Sequence, residues 1–385
     1  MLTRRSFMAA GTAASALAPF GAPALAFAKA NTERRFVFII QRGAADGLSI
    51  LAPTGDPGFA GIRGDFASDA AAGTKLDSFF TLHPALSQVS GMYSEKQALF
   101  VHAVASPYRD RSHFDGQNVL ETGGSAAYRL KDGWINRLLG LLPAIDSKAL
   151  ALSSTVPMAL RGEREVSSYA SSQLPSPSDD LLARVGSLYE SDPQLHELWT
   201  AAMDTRMKAG TVAQGAGGEK GSATGALAAR MLLGDGARIA MIETNGCDTH
   251  SAQRGRLNAQ LRDLDQMHGA LKTGLGTQWA NTLVIIATEF GRTARPNGTG
   301  GTDHGQGSAS MLLGGAVAGG RVLADWPGLA DAALYEGRDL KPTADLDALI
   351  AGALAQHYSL EPARVMRTLF PQTRGTALER PLVVS

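Results

Sequence analysis

One cysteine in 385 residues, Cys247, excludes an internal disulfide, so packing and, where ligands converge, a metal must hold the fold. Net charge is missing too: 36 basic residues balance 36 acidic ones. A dedicated nucleic-acid binder would carry a basic face or arm, which argues against that class. Aromatic residues make up only 6% of the chain, offering few candidates for the stacking surfaces of a carbohydrate binder. Beyond the N-terminal stretch, no apolar segment reaches spanning length without charges or breakers. There is no G-x-S-x-G elbow, P-loop, dinucleotide fingerprint or C-x-x-C. Those absences disfavour the common serine hydrolases, NTPases, dehydrogenases and thiol redox enzymes.

What is present starts at the N-terminus. Arg4 and Arg5 precede Ser6-Phe7, an Ala-rich weakly apolar segment and small-x-small sites at Ala24-Leu25-Ala26 and Ala26-Phe27-Ala28. This is the pattern of a twin-arginine signal over residues 1–28. Pro19 and Pro23 make the same stretch a poor membrane helix. The mature chain is therefore expected to pass the twin-arginine translocase already folded and to work in the periplasm or outside the cell. With 44% hydrophobic residues, 29–385 can bury a large core as one domain.

Four short apolar runs read as buried strands: "RFVFIIQ" (35–41), "ALFVHAV" (98–104), "ARIAMIE" (237–243) and "TLVIIATEF" (282–290). Near-continuous hydrophobicity at that length suits parallel strands covered on both faces. Helical patterns lie between them, after residue 182, at 225–233, at 254–275 and at 344–358. The alternation predicts an α/β fold, a three-layer α/β/α sandwich on a mostly parallel sheet. The segment 208–226, poor in large apolar groups, is expected to be a flexible surface loop.

Ligands of such sheets bind beyond the carboxyl ends of the strands, and each run ends in a polar cluster. Asp303 and His304 lie in "GGTDHGQG", where glycines allow sharp turns and close backbone approach. Asp248 and His250, two apart in "NGCDTHSAQ", share a face in extended geometry, although Asp248 also suits a helix cap. Two carboxylates and two imidazoles fit a divalent cation such as zinc or manganese. Asp46 in "RGAADG" reads either as a turn residue or as a further ligand. Ser112 suits a helix N-cap, with Asp115 in the first turn. That helix start, His113 beside it and Arg42, Arg109 and Arg111 together make an alternative anion site. Glu289 and Arg292 read either as a loop-fixing salt bridge or as site residues. His102 falls in a buried strand, His196, His268 and His357 on helices, and Cys247 is expected to be an apolar filler.

The runs "IIQRGAADGLSILAPTGDP", "RSHFDGQNVLETG", "NGCDTHSAQ" and "TEFGRTARPNGTGGTDHGQGS" resemble the domain of unknown function 1501 family of exported proteins, over nearly the whole mature chain. That family is in turn distantly similar to the alkaline phosphatase and sulfatase superfamily. The resemblance implies an alkaline phosphatase-like sandwich with metals at the strand ends. Asp303 and His304 would be ligands, Asp248 and His250 the acid and histidine of a second metal, and Asp46 the first-strand aspartate. The superfamily nucleophile stands nine positions before a Thr-Gly; counting back from Thr122 reaches His113, one past Ser112. Either His113 attacks, or it ligates metal while activated water attacks, or the chemistry has been lost. The expected function is hydrolysis of phosphate or sulfate esters with one or two divalent ions (Zn, Mn, Ca or Mg), Arg42 or Arg292 neutralising the anion. The alternative is a non-catalytic secreted protein that binds a partner through a structural site.

Overall fold

A computed structural model describes residues 33–143, 148–170, 179–209, 220–233 and 237–384. The expected signal at 1–28 and the central part of the 208–226 segment lie outside these residues.

The main sheet has nine strands. In chain order they are β1 (Arg35–Gln41), β2 (Ala98–Ala105), β3 (Ala149–Leu152), β4 (Ser167–Ser168), β5 (Ile239–Thr244), β6 (Thr282–Ala287), β7 (Ser308–Leu313), β8 (Arg321–Leu323) and β9 (Ala344–Asp345). Their spatial order is β8-β2-β7-β6-β1-β5-β3-β4, with β9 also pairing β2. β1 lies at the centre, parallel to β5 on one side and β6 on the other, and all seven of its residues are buried. Only β7 runs antiparallel to its neighbours, β2 and β6. That reversal is what keeps the loop from β6 to β7 at one edge of the sheet.

Side chains alternate between two apolar layers, as the two-residue strand period requires. Phe36, Phe38 and Ile40 enter one core with Leu283 and Ile285; Val37 and Ile39 enter the other with Val284 and Ile286. Each such side chain contributes about 1.5–3 kcal/mol on burial. Helices cover both faces. α1 (Ser87–Ser94), α4 (Lys220–Leu232) and α5 (Gln253–Leu275) pack on the Val37 side through Val89, Leu232, Leu257 and Leu261. On the Phe36 side lie α2 (His113–Thr122), α3 (Trp134–Leu139), α6 (Leu346–Tyr358) and α7 (Pro362–Leu369), contributing Leu120, Trp134, Leu349 and Leu369. The architecture is thus the three-layer α/β/α sandwich expected. Among the described residues, no helix is long and apolar enough to cross a membrane.

Three local expectations change. The helical pattern after 182 is two helices, Asp179–Tyr189 and Pro193–Ala209, because Pro193 cannot continue the first and Asp192 caps the second through the Gln194 and Leu195 amides. α4 begins at Lys220, so residues 220–226 are helix, their small side chains packing closely on α5; a Cβ on Gly225 would lie 2.1 Å from the Met267 carbonyl oxygen. β7 was not expected: "SASMLL" opens with small polar residues, yet all six are buried.

Candidate metal centre

The polar clusters at the ends of β1, β2, β5 and β6 meet at one edge of the sheet. β5 leads through Cys247 to Asp248 and His250 before α5 starts; β2 leads to α2, whose first residue is His113. The loop from β6 to β7 carries Glu289, Arg292, Asp303 and His304 and is pinned across itself by a bridge between Arg292 and His304. Two glycines permit the closeness. Gly43, at φ 104°, lies under Asp248, whose amide nitrogen would be 2.4 Å from a Cβ. A Cβ on Gly301 would lie 2.2 Å from the carbonyl carbon of His250.

Three imidazoles and a carboxylate converge there. His113 Nε2 lies 2.9 Å from His304 Nε2, which lies 3.0 Å from His250 Nε2. Asp248 Oδ1 is 2.9 Å from His250 Nε2 and 3.2 Å from His304 Nε2, and Oδ2 is 3.5 Å from His113 Nε2. The opposite nitrogen of each ring is already committed. His113 Nδ1 lies 2.8 Å from Glu289 Oε1, His304 Nδ1 lies 3.0 Å from the Arg111 carbonyl, and His250 Nδ1 lies 3.0 Å from Asp303 Oδ1. Each Nδ1 must donate to its oxygen, so in the neutral ring Nε2 carries a lone pair. Lone pairs facing at 2.9 Å repel unless a proton or a cation stands between them. The spacings of 2.9, 3.2 and 3.5 Å among His113, His304 and Asp248 lie near the donor–donor edge of a tetrahedral site, about 3.3 Å at ordinary Zn–N lengths. His113, Asp248 and His304 all place a donor atom within 4.8 Å of one another, and the exposed His250 reaches His304 and Asp248 from outside that group. The residues present therefore fit a divalent cation, and the oxygens behind the rings orient the ligands in the manner of metal sites generally.

The electrostatics agree. Asp248 is partly buried, which pushes its pKa up, but the Arg292 hydrogen bond and the imidazoles around it hold it at about 2. The Glu289 hydrogen bond raises His113, whereas burial and the nearby His113 lower His304. Of the pair, His113 is therefore the ring that protonates more readily.

Not every expected residue is a donor. Asp303 stands behind His250, accepting from its Nδ1 and, at 3.1 Å, from Asn297 Nδ2. Asp46 is remote from the cluster in function: it is the buried N-cap of the short helix Gly47–Ile50, paired with fully buried Arg63 and bonded by Gln253. Asp46 therefore caps a helix instead of forming a tight Asp-Gly turn, and its partners Arg63, Ser49 and Gln253 are not donors of the centre. Arg42 is bound between Glu121 at 2.7 Å and Glu243, so its charge is already neutralised. Arg292 is buried and spends its donors on Asp248 Oδ1 at 2.8 Å, Thr302 Oγ1 at 3.0 Å and the Thr302 carbonyl. It orients a ligand instead of facing an anion, and its partner is Asp248, not Glu289. Arg111 pairs with Asp339 at 2.7 Å and Glu336 at 2.5 Å; Arg109 donates to backbone carbonyls of Ser106 and Tyr108. Ser112 occupies the N-cap position of α2 with no capping bond from its side chain.

Glu289 is the group the sequence underweights. Fully buried, it accepts from His113, the Gly43 amide at 2.8 Å and Thr288 Oγ1 at 3.0 Å, and against the cost of burial the bonds from His113, Gly43 and Gln117 lower its pKa. A glutamate directly after an apolar strand run was the available signal. Cys247 is a buried filler, its thiol pushed up to about 12 by burial.

Solved structures similar in shape include the C-terminal periplasmic domain of EcEptC from Escherichia coli in complex with Zn, at 10% identity, covering 92% of this chain and 94% of that one, TM-score 0.39. A TAB5 alkaline phosphatase variant with Mg bound matches at 14% identity over 77% and 94%, TM-score 0.35. The phosphonate monoester hydrolase of Agrobacterium radiobacter matches at 11% over 76% and 70%, TM-score 0.34. Likeness that weak says nothing about chemistry, and the metal centre stands on this chain's own side chains. No curated protein sequence matches the chain. The family described as Protein of unknown function (DUF1501) matches residues 95–370, most of the chain, and the chain belongs to that family.

Proposed function

We propose that this protein is a metal-dependent hydrolase of phosphate or sulfate esters, exported through the twin-arginine route signalled by Arg4 and Arg5. One observation supports the reading: donor atoms of His113, Asp248 and His304 lie within 4.8 Å of one another, His250 Nε2 lies 3.0 Å from His304 Nε2, and each ring is fixed from behind. His113, His250, His304 and Asp248 would hold the ion. When bound, a divalent cation there supplies Lewis acidity to a substrate oxygen and acidifies water. The chain's own part is positional. Glu289 fixes the His113 ring, and Arg292 holds Asp248. The open side is lined by Asp248, His250 and Asp303, whose side chains are 45%, 46% and 54% exposed, and a substrate reaches the centre from there. His113 serves as a ligand, and water, not the Ser112 hydroxyl beside it in the chain, is the attacking group.

A second reading is favoured by the donor count. With His250 counted beside His113, Asp248 and His304, four side chains are available, the ligand number of structural sites, whereas catalytic sites keep a position open. A secreted binding or assembly protein with a structural ion is that alternative.

Metal content of the exported protein, purified without chelator, is the test, followed by hydrolysis of 4-nitrophenyl phosphate and sulfate. The hydrolase reading expects about one equivalent of metal and turnover that chelation removes and metal restores. Ser112→Ala should retain turnover. Bound metal with no turnover of either ester would favour the structural reading, and a folded protein that takes up no metal would end both.

A further inference from the structure

Behind His304 stands an acid that is not itself a donor of the centre. Asp339 is fully buried, and two arginines close on its carboxylate: Arg111 Nε lies 3.0 Å and Nη2 2.7 Å from Oδ2, and Arg338 Nε lies 3.2 Å from Oδ1. Both arginines also touch His304. The Arg111 carbonyl lies 3.0 Å from the ring Nδ1, and Arg338 Nη2 donates to the His304 carbonyl. One acid thus reaches both parts of one ligand, its ring and its backbone. The Arg111 backbone is left-handed, φ 61°, a conformation that costs a long side chain free energy unless its surroundings fix it. The turn that carries Asp339 is also anchored to the β6 to β7 loop: the Ala294 amide donates to the Arg338 carbonyl at 3.1 Å, and Thr293 forms a backbone bridge with Asp339.

We propose that Asp339 is a positioning residue of the metal centre, setting the His304 ring through Arg111 and the His304 backbone through Arg338. This rests on the metal centre above and holds whether the ion is catalytic or structural. A buried acid between two guanidinium groups fixes geometry, because its removal leaves both without the partner that orients them. Arg111 then loses the pairing that keeps its carbonyl aimed at Nδ1, and the His304 ring loses the fixed tautomer and direction that a ligand needs. Glu336 provides the control. It pairs with the same Arg111 at 2.5 Å but is 57% exposed, so water competes for its bond.

The test is zinc affinity by chelator competition, together with the visible absorption of the cobalt(II)-loaded full-length mature protein, in Asp339→Asn, Arg338→Gln and Glu336→Gln. Asp339→Asn should weaken zinc about tenfold and shift the cobalt bands. Arg338→Gln, at a side chain 45% exposed and therefore safe for folding, should weaken zinc by a smaller factor, and Glu336→Gln should change neither readout. Unchanged zinc affinity and cobalt bands in Asp339→Asn, or in Arg338→Gln where the Asn variant does not fold, overturn the inference and leave the centre standing. An equal loss in Glu336→Gln also overturns it, because the effect would then follow charge and not the clamp on His304. Unsubstituted protein that binds neither zinc nor cobalt removes the metal centre itself, and the inference with it.

Discussion

His113 and His304 meet Nε2 to Nε2 at 2.9 Å while both rings donate from Nδ1, to Glu289 and to the Arg111 carbonyl. That relationship makes the folded chain a better ligand than the unfolded one, so metal must stabilise it. Thermal unfolding in zinc or manganese at a hundredfold excess over Kd should show about 2.7 kcal/mol of added stability. His304→Ala should lose this gain and the bound metal together. A melting temperature indifferent to metal would contradict the assignment.

Glu289 and Asp303 each orient one ligand, but Glu289 is fully buried and Asp303 is 54% exposed. Glu289→Gln should weaken metal binding about 10–100-fold in a chelator competition. Asp303→Asn should cost less, because water competes for its bond. The reverse ranking would make Asp303 a direct ligand.

Asp46 tests the other side of the assignment. Asp46→Ala strands the fully buried Arg63 guanidinium, a loss of about 3–5 kcal/mol in denaturant unfolding. Metal content per folded molecule should not change. Metal loss without destabilisation would restore Asp46 to the centre.

His268 is fully buried with neither ring nitrogen bonded, and burial pushes its pKa down to about 3. The unfolded chain protonates this ring near 6.5, the folded chain only near 3. Between those values the unfolded state binds more protons, so stability is full above 6.5 and falls as pH drops through the window. His268→Leu should raise stability at pH 7 by about 1–3 kcal/mol and flatten that acid slope. An unchanged slope would place the acid sensitivity in His102 and His357, also buried and pushed down to about 4 and about 3.

Strands β1, β2, β5 and β6 were legible because each is a short apolar run that must bury both faces, and α5 because its apolar residues recur every three or four positions. Asp248, His250, His304 and His113 were legible as polar groups placed where strands end. β7 was not, since Ser308 and Ser310 are polar in type yet bonded to the Ala45 and Ile286 carbonyls in the core. The short strands β3, β4, β8 and β9 carry too few residues for a period.

What the sequence determined by itself is the layered α/β sandwich and the edge at which its polar groups gather, because hydrophobic periodicity and chain direction are local properties. Tertiary structure alone decided which groups converge at the centre and which stand behind them. Asp303 and Asp46 have the right chemistry, but Asp303 points at His250 Nδ1 and Asp46 at Arg63. Glu289 became essential to the centre only because β6 brings it within 2.8 Å of a histidine 176 residues away. A side chain's role follows from the partner that meets it across the sheet, and that meeting is made by long-range packing.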